Sequence, residues 1–476
     1  MKTALFLKDI SKIIRLFAIV LALLLIFGFY KITSLVKIKK TQDSFNLILI
    51  SVDTLRADRL GIYGYEQQTS PSLDQWAKKG VVFTNAYTAI PFTYPSFASL
   101  MTGVDPFKSH IFNNFKNNMK VPDDKKTIAE ILKDNKFVTG AFFTNFVLLN
   151  KNSNLKKGFD IYKYNKAWNS RDEGYTNLVK DSMDWMEGIK NNRFFLWVHF
   201  SDPHIPYDPP DDLKCKFNSA ECSATNDLKT VRSIEEKIFY NGCQEIDPKS
   251  IDILNAVYDG EVGQVDRMIN NIFNKLQSLD LTKKTVVVFI GDHGEGFDHN
   301  YFTHGKSLYN SSVRIPLIIY YPLSSGKIDH RLIDNTDFMP TILSLLNITF
   351  DPSRIDGIDF SDSFLTESLF KKNTEKRKNV YLLTNDVSKY GIIEDSFKYI
   401  LSSTNACLFR DAGEELYDLN EDPQETKNLV GDKKDLRNKL KKKISDYVEI
   451  NKLPKETEKE QDLDSETLEK MKTLGY

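Results

Sequence analysis

Three short stretches constrain the architecture most: Leu47–Val52 (LILISV), Phe194–Phe200 (FFLWVHF) and Thr285–Ile290 (TVVVFI). Each is apolar almost without a break, the signature of a strand covered on both faces. Helical patterns separate them. Ser70-Pro71 opens a short helix that stops at Gly80, with Ser70 as cap and Pro71 in the first turn. Lys126–Asn135 and Tyr175–Lys190 also read as helices, and Ile251–Leu279 carries apolar residues at helical spacing. Val81–Phe83, Phe137–Phe143 and Ile315–Tyr320 supply further strands. The fold class is α/β with a mostly parallel sheet between helices.

In an open sheet of this kind the strand C-terminal ends converge on one crevice. Asp53 closes the first run, and Asp292-His293 close the third between Gly291 and Gly294. A carboxylate directly after a buried strand is costly unless it is paired or ligated, so metal binding is the sharp reading and a turn cap the plain one. Consecutive Asp and His on a turn can both reach one ion. Glu295 reads as a brace, Arg56 and Asp58 as a local ion pair, and His199 as a core histidine inside its strand. His299 reads as exposed.

A third element points at the same crevice. In AYTAIPFTYPSFASLMTGVDP, from Ala86 to Pro106, irregular chain gives way to a helix at Thr93, with Pro95 in the first turn and Gly103 as the stop. Thr93 is either a plain N-cap or a hydroxyl held where unpaired N–H groups and the positive dipole end favour an anion.

The ordered series LILISVDTLRADRLGIYGY, PSLDQWAKKGVVFTNAYT, TYPSFASLMTG, FLWVHFSDPHIPYDPP, GDHGEGF and ELYDLNEDPQETKNL resembles the sulfatase-like family of the alkaline phosphatase superfamily, over roughly Asn46 to Val430. The resemblance implies a mixed, mostly parallel sheet sandwiched by helices over 46–350, with a small antiparallel C-terminal subdomain and charged helical tail over 351–476. It implies one divalent ion held by Asp53, Asp292, His293 and Thr93. It assigns His204 to the active-site histidine, Lys306 to the anion-binding lysine, and His110 to a histidine near the anion. Where many sulfatases place Lys and His after the matching strand, this chain has Thr144-Asn145-Phe146, leaving Asn145 to bond an anion or substrate hydroxyl.

Sulfatases of the best-known type oxidise Cys or Ser of a C/S-x-P-x-R motif to formylglycine. The matching residues here are Thr93, Tyr94, Pro95, Ser96 and Phe97. Threonine cannot become that aldehyde, and the arginine is absent, so no formylglycine is expected. Thr93 instead resembles the unmodified nucleophile of the phosphotransferase branches. Thr54 stands where those sulfatases carry a second acid. Fewer carboxylates plus an imidazole favour zinc or manganese over calcium.

The flanks add context. Lys2, Lys8, Lys12 and Arg15 (residues 1–15) precede the apolar run Leu16–Tyr30, which continues past Lys31 to Val36. With Lys31 snorkelling, 16–36 reads as a transmembrane anchor, since no small-residue cleavage site follows it. Residues 37–45 then form a linker, and the catalytic body is expected on the extracytoplasmic side. Cys215, Cys222 and Cys243 lie in a charged insertion over 208–250, and a disulfide among them is expected; Cys407 lies far away. At 476 residues and a net charge of −1, the chain exceeds one ordinary core and lacks the bulk charge that nucleic-acid binding uses. Nothing in the sequence signals an oligomeric state.

The expected activity is membrane-anchored hydrolysis of sulfate or phosphate esters, with phosphoryl chemistry through Thr93. Transfer of a phospho-headgroup to an envelope glycan or lipid is the alternative. A third reading is an inactive binding protein of the same fold.

Overall fold

The computed structural model describes residues 44–114, 119–150, 153–166, 171–217, 228–240, 246–364, 376–402 and 413–452, with 17, 19–21, 23–27 and 29 near the N-terminus. Its main sheet has eight strands: β1 (Asn46–Val52), β2 (Val81–Tyr87), β3 (Val138–Phe143), β4 (Ile161–Tyr164), β5 (Phe194–Phe200), β6 (Thr285–Gly291), β9 (Leu317–Tyr320) and β10 (Lys327–Asp334). A hairpin, β7 (Gly296–Asp298) and β8 (Tyr301–Thr303), lies between β6 and β9 in the chain. The sheet order is β10-β2-β9-β6-β1-β5-β3-β4, and β9 alone runs against its neighbours.

The unbroken apolar runs are explained by two separate cores. Along β1, Leu47 and Leu49 point into one core with Tyr94, Phe97 and Leu100 of the helix Thr93–Thr102. Ile48, Ile50 and Val52 point into the other, with Leu254, Val257 and Ile269 of the helix Pro248–Ser278. Every residue of β1, β5 and β6 is buried. Burial of this kind contributes about 1.5–3 kcal/mol per large apolar side chain.

A second sheet, β11 (Asn379–Leu383), β12 (Lys389–Glu394), β13 (Phe397–Ser402) and β14 (Glu414–Asp418), is antiparallel throughout. The helix Lys434–Ile450 covers it through Leu440 and Ile444. Asp395, with φ 55°, turns the chain between β12 and β13.

Of the expected anchor, the described residues are helical, and Phe17, Leu24 and Phe29 are among its exposed side chains. The rest of 16–36 lies outside the described residues. No helix among the described residues is long and apolar enough to cross a membrane, so the expected transmembrane helix is not found there. The insertion over 208–250 contains a helix, Leu228–Tyr240. Cys215 is disulfide-bonded. Cys222, Cys243 and Cys407, and the tail beyond residue 452, lie outside the described residues.

Candidate active site

The register of the parallel strands builds the site. Val52 lies opposite Phe200 on one side and Gly291 on the other, so β1, β5 and β6 end level. Asp53 N–H continues the ladder to Phe200 O at 2.9 Å, and Asp292 N–H to Val52 O at 3.2 Å. Phe143 of β3 pairs with His199, which brings Asn145 to the same edge. Asn145 Nδ2 donates to Asp53 Oδ2.

Thr93 begins the helix Thr93–Thr102 and is wholly buried. Its Oγ1 lies 3.5 Å from His293 Nε2, which in turn stands 3.5 Å from Asp53 Oδ1 and 3.7 Å from Asp292 Oδ2. The helix start is anchored behind the site, where Ser96 Oγ donates to Asp292 O at 2.7 Å. The expected row of unpaired N–H groups is largely absent. Tyr94 N–H donates to Asn114 Oδ1, Pro95 has none, and Ser96 N–H donates to Phe92 O.

Asp53 Oδ1, Asp292 Oδ2 and His199 Nε2 are buried polar atoms without a hydrogen-bond partner in the protein. Asp53, His199 and Asp292 each present one ligand-type atom, all within 4.8 Å of one another. The described ion-pair partners of both carboxylates are histidines. Burial pushes the Asp53 carboxyl well above the ordinary range, opposed by the Asn145 hydrogen bond. Burial and then the charge of Asp53 do the same to Asp292. Burial, reinforced by His304, drives His293 well below the usual histidine value. Orphaned carboxylate oxygens facing neutral imidazoles fit a divalent cation, whose charge removes the cost of ionising two buried acids side by side.

Thr54, at the second-acid position, is buried with φ 50°, a costly conformation for a β-branched residue. Its N–H donates to Asp292 Oδ1 at 3.2 Å, and its carbonyl accepts from Tyr258 OH at 2.7 Å. The strained backbone orients Asp292, and the hydroxyl adds no carboxylate.

Four of the seven histidines gather here, and two of them were not expected. His199 is buried as expected for a core residue, but its Nε2 stands 3.9 Å from Asp53 Oδ2. His304 lies with its ring 4.7 Å from that of His293 and 5.0 Å from that of His204. Glu295 is its brace, accepting from His304 Nδ1 at 3.1 Å. Tyr207 OH donates to Glu295 Oε2 at 3.4 Å. A His-Gly pair after a hairpin was the available signal for His304.

Two expected residues are not part of the buried cluster. Lys306 has an exposed side chain, while its N–H donates to Tyr301 OH; the tight turn at Gly305 directs His304 inward instead. His110 closes the short helix Pro106–Ser109 in the left-handed conformation, is exposed, and bonds Asn451 O at 3.0 Å. Arg56 and Asp58 pair at 2.8 Å as expected. His299 pairs with Asp298 and stacks on Tyr309 with ring centroids 3.8 Å apart.

Comparison with known proteins agrees with this architecture. The sulfatase family model matches residues 45–348, and the model of the N-sulphoglucosamine sulphohydrolase C-terminal region matches 297–450. An arylsulfatase of Clostridium perfringens is 28% identical, covering 81% of this chain and 90% of its own. A Δ4,5-hexuronate-2-O-sulfatase of Bacteroides thetaiotaomicron is 22% identical, covering 83% of this chain and 86% of its own. The fold of a phosphonate monoester hydrolase of Agrobacterium radiobacter superposes with a TM-score of 0.66 at 18% identity, over 86% of this chain and 96% of that one. The chain belongs to the sulfatase family of the alkaline phosphatase superfamily and is an ester hydrolase of that superfamily.

Proposed function

We propose that the chain is a metal-dependent hydrolase of phosphate or sulfate esters, with phosphoryl transfer favoured, whose nucleophile is the unmodified hydroxyl of Thr93. The observation that carries this is the placement of Thr93 Oγ1 3.5 Å from His293 Nε2, beside two unpartnered carboxylate oxygens. The likeness to both arylsulfatases and a phosphonate monoester hydrolase supports an anionic ester as substrate.

Asp53, Asp292, His293 and Thr93 would hold the cation. Bound there, it supplies positive charge that lowers the pKa of the Thr93 hydroxyl and offsets charge on the ester oxygens. The Thr93 oxygen, its proton lost to solvent, attacks phosphorus or sulfur in line, and the bond to the leaving oxygen breaks. His204 gives that oxygen a proton. Its Nδ1 bonds the carbonyl of Ile205, so as an imidazolium it gives up the proton on Nε2. His304, braced by Glu295, stands beside it where the charged non-bridging oxygens would lie. Water then releases the group from Thr93. Zinc or manganese is the proposed ion, on the His293 imidazole and the threonine at position 54; stoichiometric calcium in the purified protein would contradict this.

Turnover of aryl sulfate, phosphate monoester and phosphodiester, each with zinc, manganese and calcium, tests the reading. Thr93-dependent phosphate turnover supports it. Dominant sulfate turnover would mean a sulfatase working without formylglycine, and silence on all three would favour a headgroup transferase. The proposal includes an N-terminal anchor over 16–36 with an extracytoplasmic body, supported by the apolar run. Recovery of the full chain in the soluble fraction would contradict it.

A further inference from the structure

Two buried histidines flank Asp53, and each engages a neighbour through Nδ1. His293 Nδ1 lies 3.0 Å from the carbonyl oxygen of Gly294, which can only accept. The proton is therefore on Nδ1, and the Nε2 lone pair faces Asp53, Asp292 and Thr93 at 3.5, 3.7 and 3.5 Å.

His199 is arranged the other way. Trp197 Nε1–H, a donor only, ends on Ser51 Oγ at 2.8 Å. Ser51 Oγ lies 3.0 Å from His199 Nδ1, which among the described residues is the acceptor within reach of its hydroxyl proton. All three side chains are wholly buried, so a hydroxyl proton turned elsewhere would have no partner. With Nδ1 of His199 accepting from that hydroxyl, Nε2 carries the hydrogen. That N–H stands 3.9 Å from Asp53 Oδ2, too long for a hydrogen bond but a direct charge–dipole contact in a buried site. Asn145 donates to the same oxygen. Asp53 Oδ1 has no protein partner.

We infer that His199 is a positioning residue and not a metal ligand, although its Nε2 lies within the ligand cluster. The relay Trp197→Ser51→His199 sets an N–H beside Asp53 Oδ2, and with Asn145 it turns Oδ1 toward the cation. His293 is then the one imidazole of this flanking pair with a lone pair to offer. Ser51, next to last in β1, sets the ligand count.

The inference rests on Asp53 and His293 holding the ion, and one experiment separates its failure from theirs. Full-length protein labelled with ¹⁵N-histidine is compared metal-free and zinc-loaded by two-bond ¹H–¹⁵N correlation, with resonances assigned from single variants. The expected result is a protonated Nε2 on His199 in both states, while His293 Nε2 is unprotonated and shifts with zinc. A His199 Nε2 that loses its proton and shifts with zinc would overturn the inference. Zinc affinity by competition is the second readout. His199→Gln, whose amide can still donate, should keep affinity within about tenfold, whereas His199→Phe should lose about 10–100-fold, the range for outer-shell partners. Equal losses in both, matching that of His293→Gln, would make His199 a ligand. If Asp53→Asn binds zinc as tightly as the unaltered protein, the metal centre itself is wrong, and the metal-free ¹⁵N pattern still decides the relay.

Discussion

The chemistry turns on a few side chains whose environments are unlike those of their neighbours. Thr93→Ala should lower turnover by about three orders of magnitude or more, as loss of a nucleophile does elsewhere, while Thr93→Ser should retain it. Full activity in Thr93→Ala would refute the assignment. Asn145→Ala removes the donor on Asp53 Oδ2 and should weaken metal binding about 10–100-fold, measured by competition with a chelator. Asp53, Thr93, Asp292, His293 and His204 were readable because each sits beside a strand end, a helix start or a motif. His199 was not, because a histidine inside an apolar strand looks the same whether its ring faces packing or a carboxylate. The exposure of Lys306 was hidden for a related reason. Spacing along the chain cannot say which of His304 and Lys306 a tight turn at Gly305 sends inward.

At the scale of elements, the apolar runs told most of the story. An unbroken run requires cover on both faces, and both cores are present. The exact level at which strands end was not readable, since it depends on register between segments far apart in sequence. The turn carrying Asp292 and His293 also depends on a close approach that sequence conceals. A Cβ on Gly294 would lie 1.9 Å from the carbonyl oxygen of Ser311. Gly294→Ala must therefore displace the backbone beside His293. It should lower both the melting temperature and zinc affinity, and unchanged values for both would show that the turn tolerates movement. The insertion over 208–250 is more than a solvated loop, because Glu235 accepts the N–H of Tyr207 at 2.7 Å and so supports the segment bearing His204.

Across the whole molecule, the C-terminal sheet is tied to the catalytic part through the segment that carries His304. Asn385 N–H donates to Gly305 O at 2.9 Å, and Leu383 N–H to Ala89 O at 2.9 Å. Buried Lys398 pairs with Glu425 at 2.6 Å and donates to Leu308 O at 3.0 Å. Lys398→Met would leave Glu425 buried without its cation, and denaturant unfolding should show a loss of about 3–5 kcal/mol. The antiparallel character of this region was legible, but its grip on the site was not, because those contacts join residues far apart in the chain. Asp334 gives a pH signature. Burial raises its carboxyl to about 6, opposed by Arg377. The folded state therefore holds a proton that the unfolded chain, with an ordinary value of about 4, has released. Its contribution is fully present below about pH 4 and is lost as pH rises to about 6. Asp334→Asn should remove that slope from the stability curve between pH 4 and 6, and an unaltered slope would assign it to other groups.

The most direct test of the central claim is mass spectrometry of the Thr93 peptide after rapid acid quench during turnover of an activated phosphate ester. A phosphoryl group is expected on Thr93, forming at the rate of the initial burst and absent from Thr93→Ala. Steady turnover with Thr93 unmodified at every quench time, and the same rate in Thr93→Ala, would contradict it.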